Sequence, residues 1–509
     1  MKKITLFMLL MVQNFLFAQT QDLVGLAKGD YLGFNAVFDQ NDVLFGYVAL
    51  YGYGKSGEKT KKFEYVLLDK NLNPVANKEF EGDITAADYS AYMDFKGNIV
   101  LRPSRIDYYA TKAKDMFSPA SMVVNLKDNT VEKKKYYDYE NNAIKESVEF
   151  KNWNELRKNN KVEKKEKGYN YFSYVYEVKE GGFIVLEFND YGSYINNNSL
   201  IRFDDEKKEL WKYSYNTSGN KKNKEVLRII EKDENYIYGI LNNDNDGVKT
   251  FHLLVIDMKT GKEVVKTPID KFSAKTIENI TFLYGDRHEI SNQKTFDDKI
   301  VLVGKFFATK DEELGFARLL IDKKTFQLDQ QAFLYNELKE FIPTIDRLGY
   351  MEKGYKLSAR DLFFLKDGSV GVLTEKFREY DGWSAPKSED MVYVYTDSAF
   401  KIKGIKVFDK EKSKWITSDY LFSQYVNSGD DVVFFYRDYE KDETAKEKVW
   451  DWNLYINTLI KGEFKQEKIK ISSKENWIVP YVAKEGYILF QELNKKEKYN
   501  KIRLERLNY

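Results

Sequence analysis

Tyrosine and tryptophan, rather than histidine or cysteine, are the residues through which this chain could act. It carries 38 Tyr and seven Trp but only two His and no Cys in 509 residues. Without cysteine there is no thiol nucleophile, no Cys-ligated zinc, no disulfide and no lipid-modified cysteine. His252 lies inside the apolar run Phe251–Asp257 and reads as a packed strand residue, while His288 stands beside Asp286 and Arg287 in a polar turn and reads as a surface residue. A histidine metal centre needs two or three imidazoles converging, and nothing in the spacing brings these two together. No Gly-x-Ser-x-Gly elbow prepares a serine nucleophile. No Gly-rich phosphate loop or dinucleotide fingerprint is present. Neither a metal nor a cofactor is expected.

Carboxylates are too abundant to be informative. With 80 acidic residues, pairs occur everywhere, whereas glycoside chemistry needs two carboxylates at a set separation across a pocket. The Ser-x-Asp-x-Gly-x-x-Trp box of sialidase-type repeats is missing, since Asp381, Gly382 and Trp383 are contiguous. In Asn242–Gly247, side-chain oxygens alternate as in a calcium loop, but Leu253 stands where the bidentate glutamate belongs. A hairpin turn rich in residues that tolerate positive φ is the expected form.

The aromatics have a more regular placement. Between successive apolar segments stand Tyr51 and Tyr53, Tyr108 and Tyr109, Tyr191 and Tyr194, Tyr380 and Trp383, and Tyr439 with Trp450. Such rings give large contact area at low entropic cost, with a polar handle. Tyr53, Tyr109, Tyr191, Tyr194, Trp383 and Trp450 are therefore the candidate ligand-binding residues, for a protein or glycan partner. The same rings also suit packing on adjacent loops or capping a core.

What must position them is a module of roughly 60 residues repeated along the chain, as in closed or stacked supersecondary arrays. Each copy has an alternating strand, a Gly- or Asp-bearing turn, an apolar second strand, a polar connection, and a third strand ending at an Asp- or Lys-rich turn. The second strands read as Val43–Leu50, 97–101, Gly182–Phe188, Tyr236–Leu241, Lys299–Phe307, Gly368–Lys376, Asp431–Tyr436 and Gly486–Leu493. The third strands read as Phe63–Asp69, Ser121–Leu126, Ser199–Asp204, Phe251–Asp257, Phe316–Asp322, Met391–Asp397, Asn453–Leu459 and Ile502–Leu507. Outer strands such as Lys401–Phe408 and Phe464–Ile471 are more polar, as edges facing water must be.

The expected fold is an all-β propeller of about eight blades, or seven if the second copy is irregular. The last copy, Trp477 to Tyr509, supplies three strands, and a spare segment near Asp22–Leu26 would complete it and remove two exposed edges. An insertion over 136–168 carries a short surface helix, with Trp153 and Leu156 at helical spacing. The rhythm, and in particular Leu253–Val264 with its Thr-Gly turn, resembles secreted bacterial β-propeller repeat proteins in general, without the signatures of WD40 or kelch blades.

Residues 1–18 have the form of a signal peptide: Lys2 and Lys3, an apolar stretch from Ile4 to Phe17, and Ala18 before Gln19. Export to the periplasm, envelope or exterior is expected, with a single propeller domain over 19–509 and no membrane span after processing. Formal charge is +1, from 81 basic and 80 acidic residues, which gives no attraction to nucleic acid. The functional expectation is an exported, non-catalytic binding or scaffold protein. The alternative is a glycan-active hydrolase or lyase with carboxylates in a central depression.

Overall fold

The computed structural model describes residues 20–39, 42–106, 121–134, 154, 158, 171–188, 197–215, 223–281, 291–308, 312–379, 386–413, 418–441, 450–472, 476–494 and 500–509. Within them the chain forms eight four-stranded antiparallel sheets, seven built from consecutive strands, which is the organisation of an eight-bladed β-propeller. The first sheet is β2 (Asp30–Phe38), β3 (Leu44–Lys55), β4 (Thr60–Asp69) and β5 (Pro74–Asp83), preceded in the chain by β1 (Thr20–Asp22). The second is β6 (Ala86–Met93), β7 (Ile99–Ile106), β8 (Ser121–Asn125) and β9 (Thr130–Lys134), so the second copy is a four-stranded sheet like the others, with register shifts near Asp88. Next come β10 (Tyr171–Glu177), β11 (Phe183–Phe188), β12 (Asn197–Phe203) and β13 (Glu209–Ser214), then β14 (Asn223–Lys232), β15 (Tyr236–Asn245), β16 (Val248–Asp257) and β17 (Glu263–Ile269). The fifth sheet holds β18 (Gln293–Thr295), β19 (Lys299–Phe307), β20 (Glu313–Asp322) and β21 (Leu328–Leu334). The sixth and seventh are β22 (Lys356–Phe364), β23 (Val370–Arg378), β24 (Lys387–Thr396), β25 (Ile402–Phe408), and β26 (Tyr420–Val426), β27 (Asp431–Lys441), β28 (Trp450–Ile460), β29 (Glu463–Lys470). The last comprises β30 (Asn476–Tyr481), β31 (Tyr487–Asn494) and β32 (Asn500–Arg506).

β1 completes that last sheet, in the order β1-β32-β31-β30, with Thr20 opposite Arg503 and Asp22 opposite Lys501. The completing strand lies N-terminal to the expected Asp22–Leu26. The Asp22 carboxylate accepts the Val24 N–H at 3.0 Å and turns the chain, while Leu23 is fully buried.

Strand character follows position in the sheet. β16 buries Phe251, Leu253, Leu254, Val255 and Ile256, as expected for a strand covered on both faces. β29 exposes most of its side chains. The aspartates that end third strands do so by a local mechanism. Asp257 Oδ1 accepts the Lys259 and Thr260 N–H groups, Asp322 Oδ1 those of Lys324 and Thr325, and Asp397 Oδ1 those of Ala399 and Lys401. Each is an Asx turn that reverses the chain into the outer strand.

The described residues group into two compact units, Met1–Lys179 with Ile471–Tyr509, and Glu180–Lys470. In the first, Leu23, Tyr47, Leu489, Ile502 and Leu504 share one core, which ties the completed last sheet to the first. A second core joins the first two sheets through Phe63, Phe80 and Tyr89. In the second unit, turns are stapled to neighbouring sheets. Arg318, fully buried, donates to the carbonyls of Gly368 at 3.0 Å and Ser398 at 2.7 Å, and the Trp211 indole donates to the Met258 carbonyl at 3.0 Å. A helix absent from the sequence reading, α1 (Ala274–Thr281), packs Ile277 and Ile280 between β16, β19 and β20. Of the insertion expected near 140–168, Asn154 and Lys158 are described, both helical; the rest of it, like the segment 1–18, lies outside the described residues.

Candidate functional site

Of the aromatics singled out from sequence, Tyr53 has a described side chain. β3 runs to Lys55, so Tyr53 stands on a strand rather than in a loop. It is 36% exposed, its hydroxyl donates to the Glu64 carboxylate, and the Lys62 ammonium lies 5.3 Å from its ring centre. Its neighbour Tyr51 is wholly buried and donates to the Leu23 carbonyl. Tyr109, Tyr191, Tyr194 and Trp383 lie outside the described residues. Trp450 begins β28, with its backbone opposite Lys441, and its side chain is likewise outside them. Tyr439 is buried on β27 and donates to the Lys412 carbonyl.

The other sequence candidates resolve into structure. Asn242 to Asn245 pair along β15 with Val248 to Phe251, leaving Asp246 and Gly247 as a two-residue hairpin turn at φ 52° and 91°. Among the described residues no group of three or more metal-ligating side chains converges. His252 is a β16 residue whose imidazole is made less basic by burial and then by Lys266. His288 lies outside the described residues.

Two polar clusters missed by sequence reading lie in the unit 180–470. The first joins the opening strands of neighbouring sheets. Asp361 on β22 accepts hydrogen bonds from the Tyr420 hydroxyl and, at 2.6 Å, from Ser423 Oγ, both on β26. Its other oxygen takes the Leu362 N–H at 2.8 Å, beside a bulge after Ala359. Burial pushes the Asp361 carboxyl above the usual aspartate range despite these donors.

A chain of buried charges forms the second cluster. Glu375 takes Arg360 Nε at 2.8 Å and Ser418 Oγ at 2.9 Å, and lies 3.3 Å from Lys410 Nζ. Lys410 reaches Asp419 at 2.7 Å and donates to Ser388 and Ser413. Both Lys410 and Glu375 are fully buried at the side chain. Every carboxylate here has its donors within the fold. Such groups tie Lys410, Ser413, Ser418 and Asp419, which flank β26, to one another and to β23.

A cleft of different character opens between the sixth and seventh sheets, with a volume of about 410 Å³. It lies where β22 turns into β23 and β28 into β29. Tyr393 and Tyr395 point to one face of β24 and stack, with ring centres 6.3 Å apart and planes inclined by 19°. Phe464 meets Tyr393 edge-on at 5.4 Å. Glycines seat the rings: a Cβ at Gly371 would fall 2.0 Å from the Tyr393 hydroxyl, and one at Gly404 2.3 Å from that of Tyr395. Tyr393 is buried, whereas Tyr395 is 39% exposed, a flat amphipathic surface at the cleft. The Tyr-x-Tyr spacing on a strand was the readable signal for this pair. Asp431 is internally held, accepting the Lys461 N–H at 2.7 Å and the Asn427 amide at 2.6 Å. Lys406 and Lys461 complete the lining.

No family model matches the chain, and no curated protein matches it either. Among solved structures it is similar to the polysaccharide lyase Uly1, with 8% identity over 91% of this chain and 88% of that one, at a TM-score of 0.35. The β-propeller domain of the Trilobed protease from Pyrococcus furiosus is similar over 95% and 97% of the two chains, with 10% identity and a TM-score of 0.32. Pyrococcus horikoshii acylaminoacyl peptidase is 11% identical over 96% of this chain and 54% of its own, again with a TM-score of 0.32.

Proposed function

We propose that this protein is an exported, non-catalytic binding propeller that holds a glycan or protein partner. One observation carries the reading: an aromatic-floored cleft stands open beside Tyr395, while the buried carboxylates Asp361, Glu375 and Asp419 are engaged by hydroxyl donors and cations within the fold. A cleft of this size suits one or two sugar units or a large side chain. Rigid sheets presenting a preformed surface favour recognition, because little ordering is needed on binding. The aromatics Trp383 and Trp450, with Tyr53, Tyr109, Tyr191 and Tyr194, are the proposed contacts for a larger partner.

Calorimetric titration with oligosaccharides and peptides tests the reading. Tyr395→Ala is expected to weaken binding at the cleft by up to about tenfold, since a stacked aromatic contributes roughly 0.5–1.5 kcal/mol beyond simple contact. The pair Trp383→Ala and Trp450→Ala is expected to weaken binding at the loop surface. Unchanged affinity in both sets of variants would overturn the proposal.

A further inference from the structure

We infer that the cleft beside Tyr395 selects anionic saccharides, that is, pyranose units bearing a carboxylate or a sulfate; this rests on the binding function proposed above. The inference comes from an imbalance of charge partners. Four charged residues line the cleft: Lys406, Lys461, Asp430 and Asp431. Both acidic ones are already engaged within the protein. Asp431 receives the Lys461 N–H and the Asn427 amide, and Asp430 faces the Lys366 ammonium at 3.5 Å. Among the described residues, the ammonium groups of Lys406 and Lys461 have no ion pair or hydrogen bond. With Asp430 paired to Lys366, two unpaired ammonium groups stand against the one Asp431 carboxylate, whose donors are uncharged amides, so the excess charge at the cleft is positive.

Position gives these cations a common use. Lys406 on β25 is registered opposite Tyr393, and its side chain is exposed. Lys461 sits in the β28–β29 turn at φ 50°, in the left-handed region where a non-glycine residue carries backbone strain. The turn thus holds a lysine where Gly or Asn would fit with less strain, beside the glycine at 462. A sugar ring lying on the Tyr395 face would present its equatorial substituents to both sides. A carboxylate or sulfate there meets an ammonium group, and lysine suits either anion because it acts as a compact point charge and needs no bidentate geometry. A neutral sugar would gain the stacking contact and leave both ammonium groups as they are.

The test uses the full chain titrated with an oligogalacturonate, a sulfated galactan oligosaccharide and the neutral galactan oligosaccharide of equal length. Variants are Lys406→Gln with Lys461→Asn, the Asn chosen because it tolerates positive φ, and separately Tyr395→Ala. The expected result is salt-sensitive binding of a charged oligosaccharide, at least tenfold tighter than the neutral one. The double lysine variant should lose about tenfold, the combined worth of two solvent-exposed ion pairs. Equal affinity for neutral and charged chains, with loss only in Tyr395→Ala, would overturn the charge selection and leave the binding function standing. Binding of a charged chain that neither Tyr395→Ala nor the lysine variant weakens would overturn the cleft as its site. No binding of any saccharide would overturn the inference, while peptide binding lost in Tyr395→Ala would then still uphold the binding function.

Discussion

Lys410 Nζ stands 2.7 Å from Asp419 Oδ2, with both side chains almost wholly removed from water. Glu375 lies on the other side of the same ammonium at 3.3 Å. Deleting the cation removes the charge shared between two buried carboxylates and leaves Glu375 with Arg360 alone and Asp419 with Arg437 at 3.5 Å, so Lys410→Ala is expected to destabilise the protein by about 3 kcal/mol. Lys468→Ala, which breaks an exposed pair with Glu440, is expected to cost at most about 1 kcal/mol. Urea unfolding midpoints of the two variants make the comparison.

Completion of the last sheet by β1 can be tested covalently, because the chain has no cysteine of its own. Thr20 and Arg503 are opposite residues on paired antiparallel strands. Opposite Cα atoms in such a ladder are about 4.5–5.5 Å apart, within disulfide reach. Thr20→Cys with Arg503→Cys is expected to cross-link under mild oxidation, seen as a mobility shift reversed by reductant. Absence of the cross-link would contradict the pairing.

Much of this architecture was legible in the residues. Lys299–Phe307 is a strand over the residues that its apolar run marked, and the aspartates Asp257 and Asp322, read as ending third strands, each close a turn. The aromatic loops were less so. Polar residues at the ends of β3 and β27 continue the ladder past the apolar stretch, which places Tyr53 and Tyr439 on strands. The buried charges could not be read at all, since partners such as Ser418 and Glu375 are 43 residues apart and meet only when two sheets pack. Tyr393 and Tyr395 were visible as strand residues, but the glycines that seat them, Gly371 and Gly404, belong to neighbouring strands.

The Asp361 carboxyl predicts an unusual pH dependence. Its folded pKa is raised by burial, so the folded state holds a proton that the unfolded chain has lost. Its contribution to stability is complete below the ordinary aspartate value of about 3.9 and is lost as pH rises through the raised folded value. Asp361→Asn is expected to flatten the fall of the urea midpoint with rising pH across that interval. The turn aspartates act with the opposite sign. Asp257 is held low by Thr260 and Asp322 by the Thr325 N–H. Their contribution is present above the ordinary value and is lost on acidification through the lowered one. Asp257→Asn should therefore be relatively less acid-sensitive than the parent protein.

The Asn242–Gly247 segment predicts indifference to calcium. Its oxygens are spread along a paired strand, and Gly247 donates to Asp244 at 2.8 Å to close the turn. Millimolar calcium is expected to leave the melting temperature unchanged. Gly247→Ala, by forcing a Cβ into positive φ, is expected to destabilise by roughly 1 kcal/mol.

Binding without turnover is the most direct issue, and the fate of a bound oligosaccharide decides it. Incubating the full chain with the tightest-binding oligosaccharide and recovering it for mass spectrometry should return the same mass and the same reducing-end content. Shortened chains, or an unsaturated product absorbing in the near ultraviolet, that vanish in a Tyr395→Ala control would contradict a purely binding role.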